Sequence, residues 1–145
     1  MIKLYSIGFS GKSAEEFFKL LLENKVKKLI DIRLNNKSQL AGFTNVKHFP
    51  YFLKLHNIEY DYMPILAPTK ELLDNYKNKK IDWNDYENIF NDLLEKRNIK
   101  SLEVDKFNNC VFLCSEKTAD KCHRRLVLEF LKKFNKDTKI TIKHL

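Results

Sequence analysis

The chain has 145 residues, 43% of them hydrophobic and 32% charged, with a formal net charge of +8 and only three glycines and three prolines. This composition excludes a disordered, collagen-like or low-complexity chain and suits one domain with its own core. No stretch approaches the roughly 18 uncharged apolar residues of a membrane span.

The opening MIKLYSIGFSGKS has no apolar run or small-residue cleavage site of a signal peptide. Three cysteines, at 110, 114 and 122, are an odd number crowded together, unlike a secreted disulfide framework. Free thiols and a soluble, cytoplasmic protein without membrane association are therefore expected. The excess of positive charge attracts anions such as nucleic acid or a phosphorylated small molecule. The abundance of Lys, Asn and Ile equally fits a compositional bias of the source genome.

In chain order, IKLYSI (2–7) reads as a short strand closed by Gly8. Ser13 caps a helix over 13–24, with Glu16 completing a capping box and Phe17, Leu20 and Leu21 at helical spacing. KLIDI (28–32) is a second strand, ending in Asp31, Ile32 and Arg33. Residues 34–46 are polar and turn-rich, a loop, and 47–56 form a short helix with Pro50 in its first turn. IEYDYM (58–63) alternates as a third strand. A short helix over 70–76 and a basic turn at 77–80 precede a helix over 82–97. Asp82 caps that helix, and Trp83, Tyr86, Phe90, Leu93 and Leu94 form its apolar stripe. NCVFLC (109–114) is a strand covered on both faces. A polar loop over 115–121, a helix over 122–134 and an alternating strand over 139–144 close the chain. Strands alternating with helices predict a single α/β domain, with a mostly parallel central sheet of about five strands flanked by helices.

Open α/β sheets bind ligands beyond the carboxyl ends of their strands. That places interest on Gly8-Phe9-Ser10, on Asp31-Ile32-Arg33 and on residues 115–124. Glu116, Cys122, His123 and Arg124 lie close together in the last of these segments. A helix beginning there would aim free N–H groups and its dipole at an anion and would favour a thiolate. The alternative is that Cys122 and His123 are packing residues and Arg124 a solvated cation. Asp31 and Arg33 share one face of their strand, so they pair with each other, or Asp31 orients Arg33, or the two hold His123. The aromatics Phe49, Tyr51, Phe52, Tyr60 and Tyr62 suit packing better than base stacking.

Several chemistries fail on spacing. A cysteine phosphatase needs Arg after five intervening residues, yet Asp120 and Leu128 stand at those places after Cys114 and Cys122. Sulfur transfer through Cys114 is opposed by Glu116 and Asp120 in its loop. A metal site built from Cys114, Cys122 and His123 is conceivable, but the spacing is not C-x2-C and a fourth ligand would have to come from a distant segment, so none is assigned. Neither a Walker A loop nor G-x-G-x-x-G is present, and no cofactor is indicated.

Tyr5-Ser6-Ile7-Gly8-Phe9-Ser10 resembles the Y-T-I-G-H-S opening of the domain of unknown function family 488. Leu29-Ile30-Asp31-Ile32-Arg33 resembles its L-V-D-V-R strand, Ser38 and Phe43 its P-x-S and F elements, and Ile58-Glu59-Tyr60 its G-I-x-Y strand. Leu113-Cys114-Ser115-Glu116 followed by Cys122-His123-Arg124 resembles its L-L-C-A-E…C-H-R motif. The likeness runs along nearly the whole chain. Three departures stand out: Phe9 replaces a His, Asn35-Asn36 stands where a Pro is frequent, and Leu66-Ala67-Pro68 replaces an L-G-G turn. The resemblance implies a compact α/β domain with a polar site of Ser10, Asp31, Arg33, Glu116, Cys122, His123 and Arg124, and it implies no reaction.

The leading expectation is an enzyme or ligand-binding domain for an anion of the nucleotide or nucleic-acid class. Arg33 and Arg124 hold the anion, and Gly8 and Ser10 donate from the first loop. Glu116 and His123 act as acid and base, Asp31 assists, and Cys122 is a second-choice nucleophile. The alternatives are a non-catalytic nucleic-acid-binding module and a structural or partner-binding domain.

Overall fold

A computed structural model of the chain describes residues 1–37 and 42–145. Ser38, matched above to the P-x-S element, and the stretch 38–41 of the 34–46 loop lie outside the described residues. The elements are β1 (Ile2–Gly8), α1 (Ala14–Glu23), β2 (Lys28–Asp31), α2 (Phe49–Leu55), β3 (Glu59–Tyr62), α3 (Lys70–Lys77), α4 (Trp83–Lys96), β4 (Cys110–Cys114), α5 (His123–Lys133) and β5 (Ile140–His144). Among the described residues five strands form one sheet in the order β3-β2-β4-β1-β5, and every pairing is parallel. The expected α/β architecture is present.

Local chemistry explains the boundaries. The Ser13 hydroxyl accepts from Glu16 N at 3.1 Å and starts α1. The expected reciprocal box does not close, because Ser13 Oγ instead donates to the Glu16 carboxylate at 3.2 Å. The full capping box occurs on α4, between Asp82 and Asp85. Thr69 caps α3.

Alternation along the strands divides the core. Tyr5, Ile7, Leu29, Val111 and Leu113 pack on Phe17, Phe18 and Leu21 of α1 and on Phe49 and Leu53 of α2. Leu4, Ile30 and Phe112 face the other way, onto Leu72 of α3, Phe90 and Leu94 of α4, and Leu126, Val127 and Leu131 of α5. Each such fully buried Leu or Phe contributes about 1.5–3 kcal/mol. β1 and β4 are neighbours, yet α1, which follows β1, covers one face and α5, which follows β4, covers the other. The chain parts at that point and leaves a crevice at the carboxyl edge of the sheet. No helix among the described residues is long and apolar enough to cross a membrane.

Candidate functional site

The crevice is a cleft of about 960 Å³, at the upper end of the range of small-molecule sites. Arg33, Cys114, Glu116, Cys122 and His123 line it, so segments distant in sequence meet at one edge of the sheet. Asp31, Gly8, Ser10 and Arg124 do not line it.

Asp31 and Arg33 form a buried ion pair. Arg33 Nε donates to Asp31 Oδ1 at 2.9 Å and Nη2 to Oδ2 at 2.8 Å, with the two side chains 4% and 0% exposed. This two-pronged geometry is the strong form of the contact. Tyr60 donates its hydroxyl to the same carboxylate at 2.6 Å, and burial together with Asp31 pushes its pKa well above the usual phenol value. Arg33 also donates to Thr44 Oγ1 and to the Thr44 carbonyl. Its guanidinium lies 5.6 Å from the Phe9 ring centroid and 6.0 Å from that of Phe49. Phe9, which stands where the resembled motif has a histidine, thus serves as a platform for a buried cation.

Arg124 is not a solvated cation. It is fully buried. Nε donates to Ser6 Oγ at 3.1 Å, Nη1 to the Glu116 carbonyl at 2.6 Å, and Nη1 also reaches Cys114 Sγ at 3.9 Å. Burial lowers its pKa to about 10, with Glu116 opposing, and it stays charged at neutral pH. Arg124 fastens β1, the end of β4 and the 115–121 loop to α5. It bonds Ser6 on the α5 face of the sheet, whereas Arg33 packs with Phe49 on the α2 face. Each arginine is thus engaged with its own protein partners on its own face of the sheet. Lysine has one charged nitrogen and cannot span these partners. Arg124→Lys is expected to cost about 2–3 kcal/mol, the size of losing hydrogen bonds to a charged group, seen as a lower urea midpoint.

His123 is buried, and its Nε2 sits 2.7 Å from the Ile32 carbonyl. Burial pushes its pKa down to about 4, against the opposing hydrogen bond to Ile32. The ring is neutral at physiological pH and packs edge-on against Phe90. Glu116 keeps an exposed side chain on the cleft, while its main-chain carbonyl takes the Arg124 bond. Ser10 is exposed, and its N–H goes to the Ser115 carbonyl.

The expectation of three free thiols is corrected. Cys114 and Cys122 are joined as a disulfide, and among the described residues Cys110 alone is free. Counting cysteines along the sequence did not register that the 115–121 loop returns the start of α5 to the end of β4. Burial raises the Cys110 thiol to about 11, so it is an inert packing group.

The sequence reading missed the opposite wall. Trp83 stacks on Tyr86 at 4.8 Å between centroids, and Tyr76 meets Trp83 edge-on at 5.6 Å. These rings line the cleft with the exposed Lys77, Lys79, Lys80 and Lys121. In the sequence Trp83 and Tyr86 belong to the apolar stripe of α4 and Tyr76 to the short helix before it, although a basic turn directly precedes an aromatic first helical turn. Of the aromatics assigned to packing, Phe49 is fully buried, whereas Tyr51 is 62% exposed.

The model of the family described as domain of unknown function DUF488 matches residues 13–131. The chain belongs to the DUF488 family. No curated protein and no solved structure matches it. The DUF488 match spans α1 to α5. It therefore includes the Asp31–Arg33 pair, the Glu116 loop and the Cys122-His123-Arg124 triplet.

Proposed function

We propose that this DUF488 protein binds a nucleotide-class anion in the cleft, with its ring against the Tyr76–Trp83 wall and its phosphate at the lysine rim. The observation that carries this reading is the convergence of Lys77, at the end of α3, and Lys79 and Lys80, from the turn that follows it, with Lys121, from the loop before α5, around one mouth. The acids nearest that turn, Asp82 and Asp85, are engaged with each other's main-chain N–H groups at the start of α4. Against the charges of Asp82, Asp85 and Glu116, the four lysines still leave the mouth with a positive excess. Arg33, already neutralised by Asp31, lines the cleft as a fixed wall. Acid–base chemistry on the ligand falls to Glu116, whose carboxylate is exposed to the cleft and to solvent. The neutral His123 has no proton to give except the one held at Ile32.

Trp83 is the only tryptophan in the chain, so its fluorescence reports on the cleft directly. Titration with nucleoside monophosphates and diphosphates is expected to quench it saturably, and the matching nucleosides should bind more weakly. The Lys79→Glu/Lys80→Glu double variant should bind at least about tenfold more weakly, equivalent to about 1.4 kcal/mol. Unchanged emission and no heat of binding up to millimolar nucleotide would refute the reading. Tighter binding of a single-stranded oligonucleotide, falling steeply with salt, would transfer the cleft to a nucleic-acid-binding module without chemistry.

A further inference from the structure

Cys114, Cys122 and His123 play no part in holding an anion, yet they are gathered at one point of the cleft wall. All three are buried, and the two sulfurs and a ring nitrogen of His123 lie within 4.8 Å of one another. β4 ends on Cys114, Cys122 is the residue before α5, and His123 is the first residue of α5. Two rigid elements thus present the set, and no flexible loop is needed to complete it.

The backbone spacing is that of metal ligands. The α-carbons of Cys114 and Cys122 stand 7.7 Å apart, whereas those of most disulfides lie about 4.4–6.8 Å apart. Two thiolates on one tetrahedral ion, each at about 2.3 Å, are separated by about 3.8 Å from sulfur to sulfur, and so require a wider backbone. His123 is fixed in the manner of a ligand. The Ile32 carbonyl can only accept, so Nε2 carries the proton in that contact, and the lone pair of the neutral ring is left on Nδ1. Metal-bound histidines usually have their second nitrogen held in this way. Arg124, 3.9 Å from Cys114 Sγ, places a positive charge beside the sulfurs and offsets the charge of two thiolates.

We propose that Cys114 and Cys122, once reduced, form with Nδ1 of His123 a three-ligand site for a zinc-class divalent ion, its fourth position open to the cleft. Two equivalents of a low-molecular-weight thiol reduce the Cys114–Cys122 bond to two thiols and leave as their own disulfide. The ion then displaces one proton from each cysteine. Two thiolates and an imidazole select a zinc-class ion over magnesium or calcium. Three protein ligands with an open position are the arrangement of catalytic zinc sites, whereas structural sites are closed by a fourth ligand. The site does not depend on which ligand the cleft holds.

The test uses the whole chain, reduced and freed of reductant under anaerobic conditions, with Co²⁺ as the probe. Three titratable thiols and one equivalent of bound Co²⁺ are expected. The complex should show a sulfur-to-cobalt charge-transfer band and the visible bands of tetrahedral cobalt, and one equivalent of Zn²⁺ should abolish both. Cys114→Ser and Cys122→Ser should each lose at least half of the charge-transfer intensity. His123→Ala should keep that band with at least about tenfold weaker binding. Cys110→Ser should behave as the parent. A reduced parent, folded by circular dichroism, that gives no charge-transfer band with excess Co²⁺ overturns the proposal. So does a band that survives undiminished in Cys122→Ser, or a disulfide that no thiol can open in the folded chain.

Discussion

Asp31→Ala is expected to lower the free energy of unfolding by about 3–5 kcal/mol, because removing one member of a buried ion pair leaves the other charged and unpaired. Arg33 is 4% exposed and has two of its nitrogens on this carboxylate. Tyr60 loses its acceptor in the same change and, among the described residues, keeps the 3.3 Å contact from Asn36 Nδ2. Domains of this size are stable by about 5–15 kcal/mol, so the variant should be marginal or partly unfolded at 37 °C. Replacing both partners removes the orphaned charge. Asp31→Ala/Arg33→Met should therefore be destabilised by clearly less than the sum of the single changes, with a coupling of about 1–3 kcal/mol. Urea unfolding of the four proteins measures this. Additive losses would show that the pair is not the unit the geometry describes.

That pair was half legible in the sequence. Strand periodicity puts residues 31 and 33 on one face, and mutual pairing was among the outcomes it allowed. What periodicity cannot supply is the surrounding shell: Tyr60 from β3, Thr44 from the loop before α2, and the rings of Phe9 and Phe49. These arrive from other strands and from the α2 layer, and sequence separation hides them. The frame itself was readable, because each element carries its own signal. Val111 to Leu113 form an unbroken apolar run suited to a central strand. Ser13 and Asp82 mark helix starts, and Ile140 and Ile142 alternate with polar residues as an edge strand does.

The site was less legible for a related reason. The rule about strand ends found Arg33, Glu116 and His123, which do meet at the cleft. It could not show that Arg124, next in line to His123, turns inward along α5 toward Ser6, because a helix swings consecutive residues by about 100°. Sequence position made Arg124 an anion ligand and left Lys77 to Lys80 as a basic turn outside the site. Burial reverses the two roles: the arginine is a fastening inside the core, and the lysines are the accessible cations. The cysteines were judged by spacing along the chain, and the spacing that matters is set by the return of the 115–121 loop.

Gly8→Ala tests that loop. Gly8 ends β1 opposite Cys114, and a methyl group built on it would stand 1.6 Å from the Glu116 carbonyl oxygen, 2.6 Å from its carbon and 2.8 Å from Arg124 Nη1. Two of these neighbours are backbone, so no rotamer relieves the clash. The loop has to move away by more than an ångström. Displacing the Glu116 carbonyl breaks its 2.6 Å bond with Arg124 and strains the Phe9–Cys114 and Ser10–Ser115 main-chain bonds beside it. Overpacking costs about 1–3 kcal/mol, and loss of a hydrogen bond to a buried charge about 1.5–3 kcal/mol more, so a total near 4 kcal/mol is expected. The neighbouring Ser10→Ala changes an exposed side chain and should stay within about 0.5 kcal/mol of the parent. Loss of stability in Gly8→Ala should come with loss of cleft function, since Ser115 and Glu116 line the cleft and Cys114 adjoins the same loop. Nucleotide quenching of Trp83 and cobalt binding after reduction should therefore both weaken, even at temperatures where the variant is folded. A Gly8→Ala protein with the parent's urea midpoint and unchanged binding would mean that β1 and the 115–121 loop do not touch in solution. The register that brings Glu116 and the cysteines to the cleft would then be wrong.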